Sequence, residues 1–497
     1  MPNLTRRIVI SGVAIWRPPS ETAMPIVLVP RSRPNRRALG LSRSAKSSKE
    51  RVGSLAMSNP LARNGQNHTG NRALSGRSPN RRPAQFRRAA RLFDRSGFVR
   101  SMAPNKKREG RVRDLEGILG DAVAAGDAPY LVAMVADRQR VLWSGSAGEA
   151  APGRAAATDT VFRIYSMTKA VGSLAAMLLV ERGQLGLDQP VDEVLPQFAE
   201  LKVLDGFDGE EPVLRPPKTR ATIRHLATHT SGLVYEYWNA DLAAYLERTG
   251  RPSVISGRAA GLAYPLAFDP GTRWGYGIGI DWLGRVVEAV DGRRIDKFCQ
   301  DEIFAPLGMT DTGFEAGEGD AGRLAAGMSR GRDGTHAPFG MTPPSEPEFY
   351  GMGHALFSTA PDYLKFLQLF LNGGKHAGGR LIGPESFEVM ATNQIGDLRV
   401  TPMVSAMPRL SADVDLFPGA QKTHTFGFVR LEEDVPGMRA AGSLGWAGIF
   451  NTHYWIDPAT GIAAVLMTQA LPFADPRFMD VFQRFERAVY GRFGNTS

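Results

Sequence analysis

Ser166 and Lys169 stand three residues apart in the run Phe162-Arg163-Ile164-Tyr165-Ser166-Met167-Thr168-Lys169. At helical spacing their side chains share a face. From Ala170 to Val180 the chain is almost wholly apolar, and Lys169 is the sole charged side chain between Ser166 and Val180. A helix apolar on every side is a buried helix, and Glu181-Arg182-Gly183 supplies its C-terminal stop. Burying an ammonium is unfavourable, so such a lysine gives up its proton. A neutral amine beside a hydroxyl is a competent base for it. Ser166 is placed in the first turn, where unpaired N–H groups and the helix dipole favour developing negative charge. The pattern therefore offers nucleophilic attack by serine through an acyl-enzyme. The bland alternative is a serine N-cap with a lysine that snorkels to solvent. This Ser-x-x-Lys is the only one in the chain, and its place at the head of a buried helix favours the chemical reading.

The elements that must hold this pair come from both ends of one long segment. Leu115, Ile118, Leu119 and Val123 recur at helical spacing. A hairpin is expected from Tyr130–Val135 through Asp137-Arg138 to Val141–Trp143. Far downstream, His453–Ile456 enters the turn Asp457-Pro458-Ala459-Thr460-Gly461, Ile462–Met467 reads as a buried strand, and Phe478–Tyr490 as a closing helix. A sheet assembled from both ends with helices packed on it is the expectation, and the middle reads as helices and Gly/Pro-containing loops.

The Ser166–Lys169 segment resembles the first motif of the serine β-lactamase and penicillin-binding superfamily. The chain from about 112 to 495 resembles class C β-lactamase-like proteins and, more narrowly, family VIII carboxylesterases. Leu226–Leu233, with His229-Thr230-Ser231-Gly232-Leu233, is similar to a family loop, as are Pro306–Thr312 and Gly351–Tyr363. The resemblance implies an α/β fold: an antiparallel sheet flanked by helices, plus a mainly helical lobe. It also implies that Tyr276, in Trp274-Gly275-Tyr276-Gly277-Ile278, shares the base role with Lys169 and then protonates the leaving group. Trp446-Ala447-Gly448 stands where many members carry Lys-Thr-Gly, and family VIII esterases commonly have Trp-x-Gly there. The implied oxyanion hole joins the backbone N–H of Ser166 to that of Ile449, with Gly448 allowing close approach and Trp446 beside the substrate.

Two departures bear on substrate. Ile278 replaces the Asn of the class C Tyr-x-Asn motif, and Trp446 replaces a lysine. A site without these polar partners discriminates poorly for β-lactams and suits an apolar or aromatic ester. The expected function is therefore a carboxylesterase acting on small-molecule esters. The alternatives are an amide-directed hydrolase (β-lactamase, D-aminopeptidase or oligoamide hydrolase) or an acyltransferase; an inactive binding or sensor protein is the outside reading. No metal and no cofactor is implied. Gly327-Met328-Ser329-Arg330-Gly331 fits the lipase Gly-x-Ser-x-Gly pattern, but its flanks read as loop and not as the strand and helix of a nucleophile elbow.

Composition bounds the rest. An apolar content of 43% and a charged content of 22% suit a globular protein. The single cysteine, Cys299, excludes an intrachain disulfide, reads as a small buried helical residue, and leaves no zinc-type spacing. The net charge of +10 is unevenly placed: residues 1–108 hold 24 Lys+Arg against 3 Asp+Glu, and the remainder is net acidic. Two domains follow: 1–108, a basic extension expected to be disordered, and 109–497, the hydrolase domain. Targeting or nucleic-acid binding by the extension is weighed and not favoured, so no nucleic-acid partner is expected. No apolar run of ~18 residues predicts a membrane span. Ile8–Trp16 follows Arg6-Arg7 as in a secretory signal, but Arg17-Pro18-Pro19 and no cleavage site come next. A cytoplasmic location is expected; oligomeric state is left open.

Overall fold

The structure, a computed structural model, describes residues 114–342 and 344–494. The basic extension at 1–108 lies outside the described residues.

The first strand explains the architecture. β1 (Tyr130–Ala136) is buried at all seven positions, which requires cover on both faces. It pairs antiparallel with β2 (Val141–Ala151) on one side and with β8 (Ile462–Met467) on the other, so Val132 faces Ser146 and Met467. Two further segments complete the sheet: β3 (Arg154–Ala155), and the series β4 (Lys422–His424), β5 (Val429–Leu431), β6 (Leu444–Gly448) and β7 (Thr452–Asp457). The eight strands run β4-β5-β6-β7-β8-β1-β2-β3, with antiparallel neighbours.

Alternate residues of β1 serve two cores. Leu131, Ala133 and Val135 face helices α1 (Leu115–Ala124) and α5 (Pro476–Phe493), where Ile118, Phe478, Phe482 and Phe485 pack with Trp455 and Leu466. Tyr130, Val132 and Met134 join the larger core with α2 (Thr168–Glu181), α3 (Gly279–Asp291) and α4 (Ala360–Leu371). The two terminal helices thus form one layer, the sheet the second, and the inserted helical region the third. This is the antiparallel sheet with flanking helices that the sequence predicts. Cys299 is fully buried at the end of a short helix. Among the described residues, no helix is long and apolar enough to cross a membrane.

One local expectation changes. Ser166 does not lie in α2 itself; it sits in a 3-10 turn, Tyr165–Met167, that runs directly into it. The flanks of Ser329 are turn and coil, as the sequence predicts; Ser329 itself lies on a short strand (Met328–Arg330), and a paired strand at His336–Pro338 follows, so no helix completes an elbow.

Candidate active site

The turn carrying Ser166 is clamped from both sides. Phe162–Arg163 pairs with Phe357–Ser358, Ile164 N donates to Leu356 O at 3.0 Å, and Leu356 N donates to Thr168 Oγ1 at 3.2 Å. Tyr165 adopts φ 43°, a left-handed conformation that costs a non-glycine residue about 1–3 kcal/mol. Its ring is buried and stacked on Phe450, centroids 5.0 Å apart, and its hydroxyl donates to Met341 O. Ser166 is half-buried and opens onto a cleft walled by Tyr235, Tyr237, Trp238, Ile255, His354 and Ile449.

Lys169 is 3% exposed and reaches three oxygens: Ser166 Oγ at 3.1 Å, Tyr235 Oη at 3.0 Å and Gly353 O at 2.7 Å. A neutral amine has two N–H groups and one lone pair. The carbonyl of Gly353 can only accept, so it takes one N–H; Tyr235 takes the other, and the lone pair faces the Ser166 hydroxyl. Burial pulls the lysine down to about 7, partly opposed by Asp281. Three oxygen partners would equally suit the three N–H groups of an ammonium, so it is burial that favours the neutral amine.

Tyr276 is held by two loops laced together. Gly275 N donates to His229 O at 2.8 Å, Gly277 N to His229 Nδ1 at 3.3 Å, and Tyr235 N to Tyr276 O at 3.1 Å. Burial holds His229 well below its ordinary range, so it is neutral and its Nδ1 accepts. A Cβ on Gly277 would meet Leu233 O at 2.2 Å, so only glycine permits this contact. The Tyr276 hydroxyl, beside the Ser166 side chain, receives the Trp446 indole N–H at 3.0 Å. Burial nonetheless pushes the phenol above its ordinary value, so it rests protonated. Trp446, expected beside the substrate, thus spends its one donor on Tyr276.

β6 closes the far side. A Cβ on Gly448 would lie 2.4 Å from Ile164 O, so glycine lets the strand end meet the nucleophile turn. Ile449 follows and lines the cleft opposite Ser166. Ser166, Lys169, Tyr276, Trp446, Gly448 and Ile449, far apart in sequence, are therefore brought to one place.

Three participants escape a reading of the sequence. Tyr235 lies two residues beyond the His229–Leu233 loop, in the aromatic run Tyr235-Glu236-Tyr237-Trp238, which was its only signal. Gly353 contributes a backbone carbonyl. Asp281 is completely buried on α3 and accepts from Gly353 N at 3.0 Å, with His354 Nδ1 3.3 Å away. It anchors the N–H of Gly353, the residue whose own carbonyl ligates Lys169, and supplies the one charge that raises that lysine's proton affinity. Asp281→Asn should keep the acceptor and delete the charge. The acidic limb of kcat/KM should then move to lower pH by roughly one pH unit, and a pH–rate profile of both proteins checks this.

Comparisons with known proteins bear on the family and the fold. The Beta-lactamase family model matches residues 115–488. A lovastatin esterase of Penicillium rubens is 30% identical over 407 residues, covering 76% of this chain and 96% of its own. A monacolin J acid methylbutanoyltransferase of Aspergillus terreus is 30% identical over 351 residues, 67% of this chain and 83% of its own. The unliganded structure of simvastatin synthase from Aspergillus terreus superposes with a TM-score of 0.64 at 27% identity, covering 76% of this chain and 98% of that one.

Proposed function

The chain belongs to the beta-lactamase family, and from that premise we propose that it is a serine esterase, with Ser166 as nucleophile, Lys169 as base and Tyr276 as proton donor. The observation that carries this reading is the burial of the Lys169 amine, which favours its neutral form, 3.1 Å from Ser166 Oγ.

The steps follow from that arrangement. Lys169 takes the Ser166 proton as Oγ bonds to the ester carbonyl carbon. The oxyanion is met by the N–H groups of Ser166 and Ile449. The carbon–oxygen bond to the alcohol then breaks. Tyr276 gives its proton to the departing alkoxide and recovers one from the Lys169 ammonium, which returns the amine to neutrality. The Trp446 indole N–H, 3.0 Å from Tyr276 Oη, stabilises the transient phenolate. Water, deprotonated by the same amine, repeats the attack on the acyl-Ser166 ester and releases the acid.

Ester rather than β-lactam chemistry is supported by Ile278, which is fully buried and offers no side-chain amide to a substrate. It is supported also by Trp446, which offers no cation and whose donor is engaged. The aromatic wall of Tyr235, Tyr237 and Trp238 suits an apolar acyl or alcohol group. A second reading, transfer of the acyl group to an alcohol, draws on the same acyl-enzyme and on the relatives, one named an esterase and another a methylbutanoyltransferase.

Turnover of p-nitrophenyl acetate, butyrate and octanoate should exceed that of nitrocefin by at least about 100-fold in kcat/KM. Preferential nitrocefin hydrolysis would defeat the ester reading. Adding a primary alcohol then separates the two fates: a product ester formed at the expense of free acid marks transfer.

A further inference from the structure

Resting on the Ser166 acyl-enzyme reading, we propose that His354 makes the site prefer water to an alcohol as acceptor of the acyl group, by taking a hydrogen bond from the proton that water does not give to Lys169. His354 lines the Ser166 cleft and is 5% exposed. It directly follows Gly353, whose carbonyl holds Lys169. Two other groups of the cleft wall have their polar atoms engaged: Tyr235 Oη by Lys169, and the Trp238 indole N–H by Ser411 Oγ.

The ring is fixed from behind. Its Nδ1 lies 3.3 Å from Oδ1 of the buried Asp281, at ion-pair range without hydrogen-bond alignment. A carboxylate can only accept, so the neutral imidazole keeps its proton on Nδ1 and Nε2 is left an acceptor. A Cβ on Gly351 would meet His354 Cε1 at 2.2 Å, and one on Gly353 would meet Asp281 Oδ2 at 2.4 Å, so two glycines let the backbone close around the pair. Nε2 makes no hydrogen bond to the described residues and is not one of their enclosed unpaired atoms, so it opens onto the cavities that His354 lines. One of these is the cleft. The other, of about 150 Å³, shares Ile255 with the cleft and has Arg163, Glu315, Thr342 and Ser345 in its wall, which gives room and polar partners for several waters. His354 thus stands between a place for water and the reacting centre.

Water and an alcohol differ in what they offer there. Water attacks the acyl carbon through its oxygen, gives one proton to Lys169 and keeps the other, which it donates as a hydrogen bond to Nε2. The bond between Ser166 Oγ and the acyl carbon breaks. The Lys169 ammonium returns its proton to Oγ, and the kept proton leaves on the carboxylic acid. An alcohol has one hydroxyl proton. Once Lys169 takes it, carbon stands where Nε2 needs a donor, and the unpaired acceptor disfavours that attack by roughly 10- to 100-fold.

Initial product ratios test this with the full chain. p-Nitrophenyl butyrate is turned over with added methanol, and separately with added hydroxylamine, and methyl butyrate, the hydroxamate and butyrate are measured. Both products of each reaction come from one acyl-enzyme, so their ratio does not depend on how fast it forms, and a merely structural loss lowers both alike. His354→Leu should raise the ratio of methyl ester to acid by roughly 10- to 100-fold. His354→Gln, whose amide oxygen can accept at the same place, should stay within about threefold of wild type. Hydroxylamine is as small as methanol, but its nucleophilic nitrogen carries two protons, so the hydroxamate ratio should move less than about threefold in His354→Leu. An unchanged methyl ester ratio in His354→Leu, or an equal rise for the hydroxamate, would overturn the proposal and leave the acyl-enzyme reading intact. So would a wild-type chain that gives mainly methyl ester when water is in large excess over methanol. If His354→Leu does not fold, as judged by circular dichroism, His354→Ala is measured with and without imidazole: imidazole should lower the methyl ester ratio, and an unmoved ratio would overturn the proposal. Absence of any acyl adduct on Ser166 by intact mass would defeat the acyl-enzyme reading, and the proposal with it.

Discussion

Ser166→Ala should lower kcat for p-nitrophenyl butyrate by at least about 10⁴-fold while leaving the thermal midpoint within a few degrees. The contrast between the two effects is the test. Ser166 is half-buried at the mouth of the cleft, and its side chain is engaged by Lys169 and Tyr276. Deleting one hydroxyl removes no packing and leaves the amine and phenol with other partners. The residual rate should come from the binding surface and the backbone donors alone. Intact-mass analysis during turnover gives the complementary result: the acyl adduct on the wild-type chain maps to the peptide containing Ser166 and is absent from the variant. Retained activity would redirect attention to another nucleophile, with Ser329 the first to replace.

The second large effect concerns Lys169. Lys169→Met should cost about 10³- to 10⁵-fold in kcat/KM, because no other group near Ser166 Oγ rests as a base. In the wild-type enzyme the same residue should set the acidic limb: kcat/KM should fall about tenfold per pH unit below about 7, where the amine becomes protonated. Stability should follow the same group with a definite sign. Its value in the folded chain, about 7, lies below the ordinary 10.5, so between those values the unfolded chain binds the proton more readily. The destabilisation is fully present below about 7 and fades as pH rises towards 10.5. The Met variant lacks it, so its melting temperature relative to wild type should rise as pH falls through that window. A difference in melting temperature that is flat with pH would mean the lysine is not held neutral.

What the sequence makes legible here depends on how far apart the cooperating residues lie. Ser166 and Lys169 lie within one turn, so spacing and an apolar run reveal them. The terminal strands and helices are legible for the same local reason: β1, β8 and α5 carry their own periodicity and turn signals. Tyr276, Trp446, Gly448 and Ile449 stand out only through a resemblance, because no local pattern joins them to Ser166. Tyr235 and Asp281 meet Lys169 through packing between α2, α3 and the Gly351–Ala355 turn, and nothing in their immediate neighbours marks that meeting. The left-handed conformation of Tyr165, which leads into the nucleophile turn, has no local signal either. Its backbone is set by the Phe357 pairing and the Phe450 stack, both made by residues far along the chain.

The pairing of β1 with β8 has a consequence for how the molecule is made. Val132 and Met467 become neighbours only after more than three hundred intervening residues have been threaded between them. The centre of the sheet cannot close while the chain is still being synthesised, and the central N-terminal strand must wait with an unpaired edge. Contacts of such long sequence separation slow folding and expose strand edges to misassociation. The nucleophile turn also depends on late arrivals, since Gly448, Phe450 and Thr452 complete its seat. Catalytic competence should therefore appear only after release of the full chain, and chaperone supply during synthesis should govern yield more than the final stability does.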